Sequence, residues 1–181
     1  MGKKGIYLSI GALQAQDVGK LLRVGYKVIA YEPLKSAFAT YQSLKESRPF
    51  IYREFICFNK AVSSYNGSTT LKGSDGSSTI WNIECKVIQH VEVVSLDSIL
   101  KDVPEVSVLN LNCEGSEIEI IMGTSLANLK KCKCIAIEFH KHSQKLNMTD
   151  KMIADCIDKL ASLFEVVDKR TYHPYFEFFR K

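Results

Sequence analysis

The sequence predicts one α/β domain over residues 1–181, built on a mostly parallel seven-stranded sheet with an antiparallel edge strand and a β-hairpin insertion. Three observations predict it. Short apolar runs of strand length alternate with stretches whose apolar residues recur at helical spacing. The last two such runs lie too close together for a helical crossover, so they pair antiparallel. One stretch rich in Gly, Ser and Thr breaks the alternation with a period of two.

Residues 6–10 form the first strand, which ends at Gly11, and residues 27–31 form the second. Between them Val18, Leu21 and Leu22 mark a helix. A second helix carries Ala37, Phe38, Tyr41 and Leu44, and residues 54–58 are the third strand. Residues 66–94, with Gly67, Gly73 and Gly76 and the alternating run 85–93, read as a hairpin excursion. Its tip, GSDGSST, is either a lid over a site or a solvent-facing turn.

The fourth strand covers residues 106–111 and the fifth 134–139, with short helices over 118–122 and 126–129 between them. Thr149 before Asp150 starts a helix whose buried face is Ile153, Ile157, Leu160 and Phe164. Strands near 165–167 and 175–179, joined by a turn around His173 and Pro174, close the sheet. In a sheet of this kind ligands bind at the carboxyl ends of the parallel strands.

Composition narrows the function classes. With 181 residues, 46% hydrophobic and 24% charged, the chain is neither disordered nor a disulfide mini-scaffold. The net charge of +4 is spread along the sequence, which argues against a nucleic-acid partner. No apolar run approaches the roughly 18 to 20 residues of a membrane span, and the first residues lack a signal peptide's apolar core, so the expectation is a cytoplasmic protein without membrane association. The six cysteines lack C-x-x-C spacing and read as reduced, mostly buried thiols.

Two segments carry chemistry. Gly11 ends the first strand and Glu32 the second; glycine permits close backbone approach of a ligand, and a carboxylate there can accept both ribose hydroxyls of a nucleoside. The alternative is a solvated strand-end carboxylate before the turn at Pro33. The turn after Gly11 has one glycine where a dinucleotide fingerprint needs three, which disfavours NAD, and no phosphate-binding P-loop occurs. The second segment, VLNLNCEGSEIEIIMG, delivers Asn112, Cys113, Glu114 and Gly115 to the same edge. Either these line a ligand site, or Glu114, Ser116 and Glu117 cap the following helix. His140 and His142 follow the fifth strand; His140 is a candidate base, whereas two histidines make a poor metal site and no metal is expected. The aromatics Tyr172, Tyr175, Phe176, Phe178 and Phe179 read as packing.

Three segments in order, SIGALQAQ…GYKVIAYEP, NKAVSSYNGSTTL…VSLDSIL and LNLNCEGSEIEIIMGTSLANL…CIAIEFH, resemble the FkbM family of S-adenosylmethionine-dependent methyltransferases. The resemblance runs from about Ile6 to His140. It implies a Rossmann-like methyltransferase fold, S-adenosylmethionine as cofactor, and methylation of an oxygen on a small-molecule or sugar acceptor. It implies cofactor contacts at Ser9, Gly11, Ala12, Glu32 and Asn112, and an adenine neighbourhood at Asn59, Lys60 and Ala61. Glu114, Asn112 and His140 are the catalytic candidates it leaves. Ser9 and Asn112 stand where the family usually has aspartate, Ala15 where it has a second glycine, and Asn110 where it has lysine. The rival expectation is therefore a degenerate fold that binds a nucleoside cofactor or a partner without turnover.

Overall fold

The computed structural model describes residues 4–11, 15–72, 87–140, 149–168 and 175–181. In chain order, β1 (Gly5–Gly11), α1 (Ala15–Arg23), β2 (Tyr26–Tyr31), α2 (Lys35–Ser47) and β3 (Phe55–Phe58) form the first half of an alternating unit. An excursion follows: β4 (Ala61–Ser63), β5 (Gly67–Lys72), β6 (Val87–Ser95) and α3 (Leu96–Lys101). The second half is β7 (Val106–Asn112), α4 (Glu117–Gly123), α5 (Leu126–Leu129), β8 (Cys132–Glu138), α6 (Asp150–Ala161), β9 (Phe164–Asp168) and β10 (Tyr175–Arg180).

The main sheet has seven strands in the order β3-β2-β1-β7-β8-β10-β9. β1 pairs parallel with both β2 and β7, so the chain order reverses beside it, the position at whose carboxyl edge sheets of this kind form their ligand crevice. β10 slots between β8 and the edge strand β9 and runs antiparallel to both. The antiparallel edge expected from the short connection is thus made by the last strand, with β9 outermost.

Burial explains the run of apolar residues in β1. A central parallel strand is covered on both faces, and Leu8, Ser9 and Ile10 are each nearly inaccessible. Leu8 and Ile10 join Leu109, Leu111, Ile135 and Ile137 in a large core covered by α3, α4 and α6. On the opposite face Val18 of α1 and Tyr41 of α2 pack against Val28, Ala30 and Phe55. Of the carboxyl-terminal aromatics, Phe178 is fully buried and Phe176 meets Phe139 edge-to-face with centroids 5.9 Å apart, whereas Phe179 is exposed because its side chain alternates away from the core. Tyr172 lies outside the described residues.

The hairpin insertion is β5 and β6, paired antiparallel from Gly67 and Val93 up to Lys72 and Val87. Its tip falls outside the described residues. β4, which follows β3 directly, adds to β6 in parallel and makes a second sheet of order β4-β6-β5. Three residues are too few to show a period. Ala61, Leu71, Val91 and Val93 form the small core of this sheet.

α3 is a six-residue helix, too short to show a helical period in the sequence. Its start is local chemistry: Ser95 is the N-cap, its Oγ accepting the Ser98 N–H at 3.1 Å, and Asp97 lies in the first turn. Asp97 Oδ1 in turn accepts the Ser125 N–H and hydroxyl, both at 2.8 Å, and the Asn128 amide at 2.9 Å. The Ser-Leu-Asp element is therefore a clamp between α3 and α5, with Leu96 buried beneath it. Five described cysteines are free thiols, of which Cys132 and Cys156 are buried. No helix among the described residues is long and apolar enough to cross a membrane.

Candidate functional site

The carboxyl ends of five adjacent strands set out the site in a row. Asn59 follows β3, Glu32 follows β2, Gly11 ends β1, Asn112 and Glu114 stand at the end of β7, and Glu138 and His140 at the end of β8. These strand ends are where a doubly covered parallel sheet leaves backbone groups unpaired and side chains accessible to a ligand.

Gly11 has φ +84, and a Cβ built on it would stand 1.9 Å from the Asn112 carbonyl oxygen. Only glycine permits that approach. Two residues earlier Ser9 is fully buried, and its Oγ has no hydrogen-bond partner among the described residues. Ala12 lies outside the described residues, as does His142.

Glu32 is not a solvated turn residue, for it is 8% exposed. Its Oε1 accepts the Leu34 N–H at 2.8 Å, which supplies α2 with the cap that Leu34 cannot provide. Burial pushes the Glu32 carboxyl above its usual value of 4.5, and the Leu34 hydrogen bond opposes that rise. The turn behind it is fastened from two sides. Asn59 Nδ2 donates to the Glu32 and Pro33 carbonyls, both at 2.9 Å, and Gln89 of β6 donates to Pro33 while accepting the Lys35 N–H. Asn59 thus holds the backbone that carries Glu32. Lys60 is paired with Glu92 at 2.6 Å, and Ala61 is buried in the small sheet.

The turn from β7 into α4 is built from left-handed residues: Glu114 has φ 54 and Gly115 φ 107. Among the described residues Glu114 is the only non-glycine there, a conformation that costs roughly 1–2 kcal/mol. Such strain collects at functional turns. Asn112 Nδ2 donates to Glu138 Oε2 at 3.0 Å, joining the ends of β7 and β8.

Glu117, which the sequence reading weighed only as a helix cap, is wholly buried and at the centre of this turn. Its Oε1 accepts the Cys113 N–H at 2.9 Å and its Oε2 the Gly115 N–H at 3.0 Å. It also meets His140 Nδ1 at 2.7 Å, while His140 Nε2 lies 3.6 Å from Glu114 Oε1. Burial alone would push the His140 pKa down; its hydrogen bond to Glu117 and the charges of Glu117, Glu114 and Glu138 outweigh it and raise the value above 6.5. A signal for Glu117 was present in the sequence, since an acidic residue placed after Glu-Gly-Ser has short reach back to the strand end. Its pairing with a histidine 23 positions later was not legible.

A seven-stranded sheet with this strand order, a glycine at the end of the first strand and a buried acidic residue at the end of the second define a fold of the methyltransferase class. The chain belongs to the FkbM methyltransferase domain family, whose model matches residues 9–169. Among solved structures it is similar to the methyltransferase FkbM from Methylobacillus flagellatus KT, with TM-score 0.63 and 12% identity, over 99% of this chain and 44% of that one. It is also similar to WbdD, with TM-score 0.55 and 8% identity over 96% of this chain and 35% of that one. An rRNA methylase from Streptococcus thermophilus matches with TM-score 0.52 and 10% identity, over 96% of this chain and 86% of that one. The chain spans less than half the length of the first two, and at these identities the likeness is one of fold. No curated protein matches it in sequence.

Proposed function

We propose that the chain is an S-adenosylmethionine-dependent methyltransferase acting on an oxygen of a small-molecule or sugar acceptor. The observation that carries this reading is the buried Glu32 beside the crevice at Gly11, together with membership of the FkbM family. When bound, the cofactor supplies a methyl group already activated on a positively charged sulfur.

The residues present fit that cofactor. Gly11 leaves a cradle that any Cβ would fill, Glu32 has a carboxylate held by one backbone N–H with acceptor capacity to spare, and the orphaned Ser9 hydroxyl fits a polar group of the ligand. A buried hydroxyl without a partner costs about 1–3 kcal/mol, so such a contact is favourable. Glu32 would accept the ribose hydroxyls. Asn112, braced by Glu138, keeps its amide oxygen for a donor on cofactor or acceptor. Alignment and exclusion of water account for most of the rate, so few groups need act chemically. His140 takes the acceptor's hydroxyl proton, and Glu114 orients that acceptor and favours the imidazolium.

The uncharged Ser9 and Asn112 favour a second reading, a fold that binds the cofactor without turnover. Methyl release from labelled S-adenosylmethionine over a panel of hydroxylated acceptors separates the two. Turnover that Glu114→Ala abolishes and Asn112→Asp leaves unchanged or lowers supports the enzyme. Asn112→Asp tightening cofactor binding, with no turnover on any acceptor, supports the binder.

A further inference from the structure

We propose that Glu117 is a positioning residue, which fixes His140 as the neutral Nδ1–H tautomer so that Nε2 is the atom that takes the acceptor's proton. The inference rests on the methyl-transfer reading above and adds to it a residue that the acceptor never touches.

Glu117 receives the Cys113 and Gly115 N–H groups, one on each oxygen, and backbone N–H groups can only donate. Each oxygen already accepts one bond, and a carboxyl placed among donors is satisfied best as an acceptor from a third. We therefore assign the hydrogen of the 2.7 Å contact between Oε1 and His140 Nδ1 to Nδ1. With that hydrogen in place, a neutral imidazole carries its lone pair on Nε2.

Geometry then gives the pair its direction. Glu117 is wholly buried, whereas the His140 ring is 14% exposed and the Glu114 side chain 33% exposed. The pair runs from the interior of the α4 turn outward to the carboxyl edge. The 3.6 Å between Nε2 and Glu114 Oε1 is beyond a direct hydrogen bond but close enough to stabilise an imidazolium once Nε2 is protonated. Among the described residues, carboxylates act on the ring from three places: Glu114 in the turn, Glu117 on α4 and Glu138 on β8.

The proton step balances within these groups. The acceptor O–H bond breaks, its proton passes to Nε2, and its electron pair stays on the oxygen that gains the methyl group; the pair of the broken carbon–sulfur bond remains on sulfur. Glu117 touches neither acceptor nor cofactor and is not a catalytic residue. A helix cap alone accounts for its bonds to Cys113 and Gly115, but not for its third bond to the His140 ring at the strand edge.

Imidazole nitrogen NMR on the full 15N-labelled chain tests this without any acceptor. The chain has four histidines, and His140→Gln assigns the signal. The wild type is expected to show His140 as the Nδ1–H tautomer, titrating above 6.5, with Glu117→Gln lowering that value. In the loaded enzyme Glu117→Gln should lower kcat about 10- to 100-fold and move the acid limb of the pH profile down, with the S-adenosylmethionine Kd unchanged within about twofold. An Nε2–H tautomer in the wild type overturns the proposal even if Glu117→Gln does not fold. So does a folded Glu117→Gln with His140 titration and pH profile unmoved. Loss of all cofactor binding by the wild type would instead overturn the methyl-transfer reading, leaving the tautomer result to stand alone.

Discussion

Gly11 and Asn112 are register partners across β1 and β7, and they stand so close that a side-chain carbon on Gly11 would lie 1.9 Å from the Asn112 carbonyl oxygen. The relationship ties the two halves of the sheet together at the point where the crevice opens. It also makes Gly11 irreplaceable for two independent reasons, its φ of +84 and the absence of room.

Gly11→Ala should therefore destabilise the fold by about 3 kcal/mol, which for a domain of this size is a fall in Tm of roughly 6 to 12 °C. Thermal unfolding followed by circular dichroism reads it. An unchanged Tm would mean that the approach of β1 to β7 is looser than described.

Much of this was legible from residues alone, and for physical reasons. Strand and helix runs are set by period, so all seven strands of the main sheet were found, and Gly11 and Glu32 stood out because they end such runs. What escaped has in common that it depends on distant partners. Asp97 reads as an acidic first-turn residue, yet its function is to hold Ser125 and Asn128. Asn59 reads as a pocket residue, yet its amide is spent on the Glu32 and Pro33 carbonyls. Glu117 reads as a cap, and only the fold brings His140 to it. β4 was too short to carry any pattern.

Glu32 sets stability against function. Burial raises its pKa, so the unfolded chain ionises at the ordinary 4.5 before the folded one does, and ionisation costs stability from there upward, a cost that persists at neutral pH. Glu32→Gln keeps an oxygen for the Leu34 N–H and removes the charge. It should raise the Tm at pH 7, lose that advantage below pH 4.5, and weaken S-adenosylmethionine by about 1.5 to 3 kcal/mol. Glu46→Ala, on the exposed side of α2, should do neither. Thermal scans across pH, paired with titration calorimetry, supply both readings; a Glu32→Gln chain that is less stable at pH 7 contradicts the account.

Asp97 makes the opposite pH prediction. Hydrogen bonds from Asn128 and Ser125 hold its carboxyl below the usual 3.8, so its contribution is present above 3.8 and is lost as pH falls through the lowered value. Asp97→Ala should cost about 1 kcal/mol at neutral pH, a modest sum because water competes at this partly exposed carboxylate, and should leave cofactor affinity unchanged. Denaturant unfolding at pH 7 and pH 3 checks it: a penalty equal at both pH values would contradict the assigned clamp.

The most direct measurement is a calorimetric titration of the purified chain with S-adenosylmethionine and with its demethylated product, joined to thermal unfolding at saturating ligand. One saturable site per chain that Glu32→Ala weakens is expected, with about 2.7 kcal/mol of added stability when free ligand is near 100 times Kd. No heat and no thermal shift at millimolar ligand would contradict it, and the carboxyl edge at Gly11 and Glu32 would then not be a cofactor site.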